Sequence, residues 1–154
     1  MSRWGMRPPE TQKPERGPMI DCETEHANAF SQILHVRGHT FRADASEALG
    51  STDSAPGPHD YFDASLAACK TLTAFWYARQ KGIALERVEA HVERDTTEEL
   101  NGRYVLRVRV AFHGNLTEQE RSRLYAVVGK CPVHKLMTTT DVVIETAPLE
   151  SEQP

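Results

Sequence analysis

Two cysteines, Cys69 and Cys131, occupy positions that suit sulfur chemistry, and a third, Cys22, does not. Cys131 precedes Pro132, and proline favours the first helical position, so Cys131 falls at a helix N-cap. Unpaired backbone N–H groups and the helix dipole favour an anion there. Lys130, His134 and Lys135 surround it, with His134 one turn along the helix. Positive surroundings at a helix start lower a thiol's pKa and enrich the thiolate, which is the reactive form. The plainer reading is a capped, half-exposed thiol without chemistry. Cys69 lies in an apolar helical pattern, and taken alone it reads first as a small core hydrophobe. Cys22 sits between Asp21 and Glu23, whose charges disfavour a thiolate, and it reads as incidental.

A pair of thiols suggests a two-step cycle. The Cys69 thiolate would attack a peroxide and become a sulfenic acid. Cys131 would condense with it to a disulfide, and an external dithiol would regenerate both. A second arrangement uses the same residues: Cys131 and His134, spaced C-x-x-H, join Cys69 at a zinc ion. That spacing is weak support, because strong zinc patterns carry four regular ligands. His59 and Asp60 lie at the far end of the Cys69 helix, about 14 to 15 Å along its axis. They serve the thiol only if another element bends the site toward them; otherwise they are polar residues of a helix start. His26, His35, His39, His91 and His113 are scattered, the last two on outward strand positions.

The element carrying Cys69 is a helix expected over Pro58 to Lys81. Proline opens it, Asp60 and Asp63 sit at the end that favours negative charge, and Gly82 stops it. Phe62, Leu66, Cys69, Thr73 and Trp76 share one face at 100° per residue, the expected inward face. Between Ala64 and Ala78 the only charge is Lys70, and many of the remaining residues are alanine. Before this helix, Ile20 to Ala43 is strand-like with a turn at Gly38, and Leu49 to Pro58 is a loop. After it, Val88, Ala90 and Val92 alternate with Glu89, His91 and Glu93. Tyr104, Leu106, Val108, Val110 and Phe112 alternate with polar partners in the same way. Both stretches read as half-buried antiparallel strands joined through an Asn101-Gly102 turn. Thr117 and Glu120 form a capping box for a second helix lined by Leu124, Val127 and Val128 and ended by Gly129. A short helix from Cys131-Pro132 to about Met137 and a last strand over Val142 to Thr146 complete an α+β order.

At 154 residues the chain has the length of one domain. Residues 1–18, basic and rich in proline, read as a flexible tail; 19–150 form a single domain and 151–154 a C-terminal tail. A net charge of −4 offers nothing to nucleic acid or anionic lipid. No apolar run approaches the ~20 residues of a membrane span. The start of the chain lacks the apolar core of a secretory signal. With three cysteines, this points to a reducing, cytoplasmic setting.

The stretch Gly57-Pro58-His59-Asp60-Tyr61-Phe62-Asp63-Ala64-Ser65-Leu66-Ala67-Ala68-Cys69 resembles the first cysteine motif of the OsmC/Ohr proteins (osmotically inducible protein C and organic hydroperoxide resistance protein). Lys130-Cys131-Pro132-Val133-His134-Lys135 resembles the second. Gly38 to Asp44 is similar to the OsmC-like branch, and the likeness runs from about Ile20 to Thr146. It implies an α+β fold, antiparallel sheets packed around a long central helix, in an intertwined homodimer with sites at the subunit interface. It implies a peroxidatic Cys69 and a resolving Cys131, organic hydroperoxides as substrates, and a dithiol reductant such as dihydrolipoamide or a lipoylated protein. No metal or organic cofactor is implied. The family's glutamate after the motif proline is replaced by His59, with an acid displaced to Asp60. That glutamate positions a catalytic arginine, for which Arg42 is the candidate here, with Arg37 behind it. A non-catalytic member that binds a small apolar ligand at the dimer interface is the alternative, and the Cys/His zinc site a second.

Overall fold

The computed structural model describes residues 19–149, which fall into two compact units divided at Pro58. The expected tails, 1–18 and 151–154, therefore lie outside the described residues. The first unit is a three-stranded antiparallel sheet, with β1 at Ile20–Thr24, β2 at Gln32–Val36 and β3 at His39–Ala43, in that spatial order. Arg37 and Gly38 make the β2–β3 turn, Val36 pairing with His39 across it. Arg37 takes a left-handed φ of 56°, so it serves the turn. Below β3 the buried Asp44 gathers the loop, accepting hydrogen bonds from the Ser54 amide at 2.8 Å and from the Ser51 and Ser54 hydroxyls at 2.5 and 2.7 Å.

The second unit is built on helix α1, Pro58–Lys81, with the bounds its sequence signals predict. Gly82 adopts φ 64° beyond its end, and the Ile83 amide returns to the Ala78 carbonyl at 2.9 Å. This closes the helix in the manner of a glycine stop. Strands β4, Leu85–Asp95, and β5, Val105–Gly114, form an antiparallel pair. Gly114 has φ 139°, and a Cβ placed there meets the Ala84 carbonyl oxygen at 2.2 Å, so only glycine fits. Helix α2, Glu118–Val128, starts at the full Thr117–Glu120 capping box and ends at Gly129. Helix α3, Pro132–Thr138, follows with Cys131 as its N-cap and Pro132 in the first turn.

Three expectations need correction. The β4–β5 connection is a loop over residues 96–104 containing a 3-10 turn at Glu99–Asn101. Gly102 caps that turn with φ 82°, so Asn101-Gly102 is not a two-residue hairpin turn. Val142 to Thr146 is not a strand: the segment has no regular structure, with Val143 75% and Ile144 83% exposed. Its β-branched residues favour a strand, but among the described residues no strand takes its backbone groups. Finally, α1 does not bury the Phe62–Cys69–Trp76 face. Its buried residues are Asp63, Leu66, Lys70, Ala74 and Ala78, while Trp76 is 62% exposed. The buried face is turned about 100° from the expected one.

Packing explains that rotation. The core joins Ala74, Ala78, Ile83, Phe112, Leu124 and Val128. Alanines on α1 permit the closest approach, and the bulky Phe112 and Leu124 on the facing elements fill the volume. Phe112 also meets Tyr125 edge to face, ring centres 4.8 Å apart. Leu124 is fully buried at the centre of this cluster. Leu124→Ala should therefore destabilise the protein by about 3 kcal/mol, cavity term included. The urea unfolding midpoint checks this, and a loss near zero would mean the site collapses around the smaller side chain.

Candidate active site

The two thiols that the sequence singles out are brought together in the second unit. Cys69, near the middle of α1, accepts a hydrogen bond from the Val133 backbone N–H, N to Sγ 3.4 Å. Val133 is the second residue of α3. Cys69 Sγ thus lies at the start of the helix that Cys131 caps, where free N–H groups are available to an electron-rich sulfur. The Thr73 hydroxyl is 4.0 Å from the same sulfur. Neither thiol is in a disulfide, and Cys69 is close enough to interact with Cys131 as a hydrogen-bonding partner.

Cys131 differs from its expectation. It is fully buried, not half-exposed. Burial pushes its thiol above the ordinary range, and the adjacent Cys69 sulfur adds to that push. The His134 backbone N–H and the Lys70 charge pull the other way, and burial prevails. Of the basic neighbours read from the sequence, Lys130 and Lys135 are exposed. The cation that acts on Cys131 is Lys70, from α1.

Sequence reading noticed Lys70 but gave it no role. Only 5% of it is exposed. Its ammonium donates to the Val128 carbonyl at 2.8 Å and contacts His134 Nδ1 at 3.3 Å. An ammonium has donors only, so Nδ1 accepts and His134 carries its proton on Nε2. The signal available beforehand was a lone charge in an otherwise uncharged stretch of helix. His134 is thus part of the site: its ring meets Lys70, and its backbone N–H bears on the Cys131 thiol. Among the described residues no group of three His, Cys, Asp or Glu side chains is placed to hold a metal ion.

The other sequence candidates have charged partners of their own. His59 Nε2 meets Glu99 Oε1 at 2.7 Å, and Asp60 pairs with Arg94 at 2.5 Å. Both sit in the first turn of α1, about ten residues before Cys69. The buried Asp63 accepts from Arg94 Nε at 2.5 Å and from the Tyr104 hydroxyl at 2.9 Å. Within the second unit, then, the arginine tied to the helix-start acids is Arg94. Arg42, in the first unit, pairs with Glu25. Arg94 gave no advance signal, since a strand arginine among charged neighbours reads as solvated.

Two cavities flank α1. One, about 820 Å³ and mostly apolar, has Cys69 in its wall with Leu72, Trp76, Val127, Pro132 and Val133. The other, about 580 Å³, is bounded by Phe62, Leu66, Lys70, Tyr104, His134 and Met137. The thiol site therefore adjoins a space suited to a small apolar molecule.

An α+β fold of antiparallel sheets and helices with a cysteine pair at a helix start defines a class, and comparison identifies it. Residues 51–147 match the family described as OsmC-like protein. The match covers more than half of the chain and includes both cysteines, so this protein belongs to the OsmC-like family. Comparison with curated proteins finds no match. Among solved structures, an OsmC-like protein from Mycoplasma pneumoniae is similar with a TM-score of 0.64 and 21% identity, covering 81% of this chain and 89% of that one. An organic hydroperoxide resistance protein OsmC from Legionella pneumophila gives 0.58 and 21%, covering 82% and 93%. The organic hydroperoxide resistance protein OhrB of Bacillus subtilis gives 0.54 and 17%, covering 80% and 92%. These likenesses establish the OsmC/Ohr fold. No helix among the described residues is long and apolar enough to cross a membrane.

The raised Cys131 thiol makes stability depend on pH. Its contribution is fully present below the ordinary thiol value near 9.0 and is lost as pH rises through the higher folded value. The stability gap between the reduced protein and Cys131→Ala should narrow as pH rises past about 9. Urea midpoints taken across that range measure it, and a gap that stays constant would contradict a buried, protonated thiol.

Proposed function

We propose that this protein is a thiol-dependent peroxidase that reduces organic hydroperoxides, with Cys69 peroxidatic and Cys131 resolving, in defence against oxidative stress. The observation that carries this reading is the Val133 N–H to Cys69 Sγ contact at 3.4 Å. It sets the first thiol at the start of the helix that the second thiol caps. Membership of a family whose relatives include organic hydroperoxide resistance proteins supports the substrate class. The apolar cavity beside Cys69 supports an alkyl or aryl hydroperoxide over a small polar one, with hydrogen peroxide a lesser substrate.

In this cycle the Cys69 thiolate attacks the distal peroxide oxygen. The O–O bond breaks, the alkoxide leaves and is protonated to the alcohol, and Cys69 becomes a sulfenic acid. The Cys131 thiolate attacks that sulfur and expels hydroxide, which leaves as water after protonation, and a disulfide forms. A dithiol such as dihydrolipoamide or a lipoylated protein then reduces the disulfide by two exchanges and is itself oxidised to a cyclic disulfide. The reading includes a cytoplasmic homodimer, one domain over 19–150, and no metal or organic cofactor. His134 supports the site through Lys70, and Asp60, His59 and Arg42 are kept as supporting candidates of this reading.

The same cavity gives one competing reading, an OsmC-like protein that binds a small apolar ligand without turnover. Addition of one equivalent of cumene hydroperoxide to the reduced protein separates the two. Two of its three thiols should disappear, and mass mapping should find a Cys69–Cys131 bridge. Cys69→Ser should reduce peroxide consumption to background, because a serine hydroxyl stays protonated at neutral pH. Cys131→Ser should complete one turnover and stop at the oxidised first thiol. Three intact thiols after peroxide would favour the binding protein.

A further inference from the structure

We infer that Lys70 is the internal counter-charge for a thiolate at Cys131, a positioning residue lodged under the α2–α3 turn that acts on the second thiol across that turn. Lysine is almost never fully buried without a partner, since taking an ammonium out of water costs several kcal/mol unless an anion or good acceptors compensate. Lys70 is buried, and its two contacts are a carbonyl and a neutral imidazole nitrogen. Among the described residues it makes no ion pair with a carboxylate. The nearest acid on its own face of α1, Asp63, lies two turns back and is held by Arg94 and Tyr104.

The groups that can become anionic beside this cation are the two thiols. Lys70 bonds to Val128 and His134, the residues three before and three after Cys131. Those contacts bracket Cys131 in the chain and bring the ammonium to both ends of the turn that carries its sulfur. Cys69 is the residue next to Lys70 on α1, and its sulfur faces the same turn through Val133. The other charges of the turn, Lys130 and Lys135, are exposed and screened by solvent. A buried sulfur away from water needs a local positive charge to ionise, and Lys70 is the one placed to supply it.

The role in turnover rests on the peroxidase reading. Cys131 must be a thiolate twice there: when it attacks the Cys69 sulfenic acid, and when it leaves as a dithiol attacks Cys69. The charge itself is tested without peroxide. In a background carrying Cys22→Ser and Cys69→Ser, Cys131 is the sole thiol, and its thiolate absorbance near 240 nm is followed against pH. Lys70→Met should move the midpoint up by at least one unit, a tenfold smaller thiolate fraction at a given pH. Lys70→Arg should restore it. Should the methionine variant not fold, Lys70→Gln, which keeps a donor for the Val128 carbonyl, is read in the same way. A midpoint indifferent to the charge at position 70 overturns the inference. In the otherwise unmodified protein, Lys70→Met should also accumulate Cys69 sulfenic acid, trapped by dimedone after one equivalent of hydroperoxide, at least tenfold over the parent. A protein inert to peroxide whose Cys131 midpoint still follows Lys70 would defeat the peroxidase reading and leave the counter-charge standing.

Discussion

The ammonium of Lys70, held against the Val128 carbonyl inside the second unit, is the polar joint on which the candidate site depends. Around the middle of the core α1 meets its neighbours through apolar contacts at Ala74 and Ala78, which set distance but tolerate sliding, while the Arg94 pairs hold its N-terminal end. A hydrogen bond of 2.8 Å from a buried cation is costly to break, because the ammonium would be left without an acceptor. It fixes the height of α1 relative to the end of α2. With that height set, Cys69 meets the first N–H groups of α3, and Cys131 closes over the joint.

The alanines and the lysine work together. A helix surface of alanine lets β5 and α2 approach α1 closely, which brings the Val128 carbonyl within reach of a side chain from α1. That close packing also removes water from Cys131, so the structure that assembles the thiol pair is the same one that discourages the second thiol from ionising. The helix start was read as an electropositive niche. It is one in part, through the His134 amide and Lys70, but the desolvation there is the larger influence.

Much of this was legible in the residues, and the gaps have identifiable causes. Pro58 and Gly82 bracketed α1 correctly because N1 proline and αL glycine act through local sterics. The Thr117–Glu120 box and the Cys131-Pro132 cap were legible for the same reason. The buried face of α1 was misread because periodicity ranks Phe62 and Trp76 as core, whereas close packing selected the smaller residues beside them. Val142 to Thr146 was misread because strand preference says nothing about whether a partner strand is at hand. Lys70 and Arg94 were passed over because charged residues are assigned to solvent by default, and only contacts across the fold reveal the carbonyl or carboxylate they reach.

Cys69 and Lys70 are consecutive residues, yet a helix turns about 100° between them, so they border different cavities. The apolar cavity wall and the fixed charge thereby lie on adjacent sides of the helix. Replacing Leu72 or Trp76 reshapes the room next to the sulfur while leaving the cation's surroundings intact. Altering Met137 or Tyr104 does the reverse. Such a partition lets selectivity and reactivity drift apart over evolutionary time, one wall at a time, on a single unbroken helix.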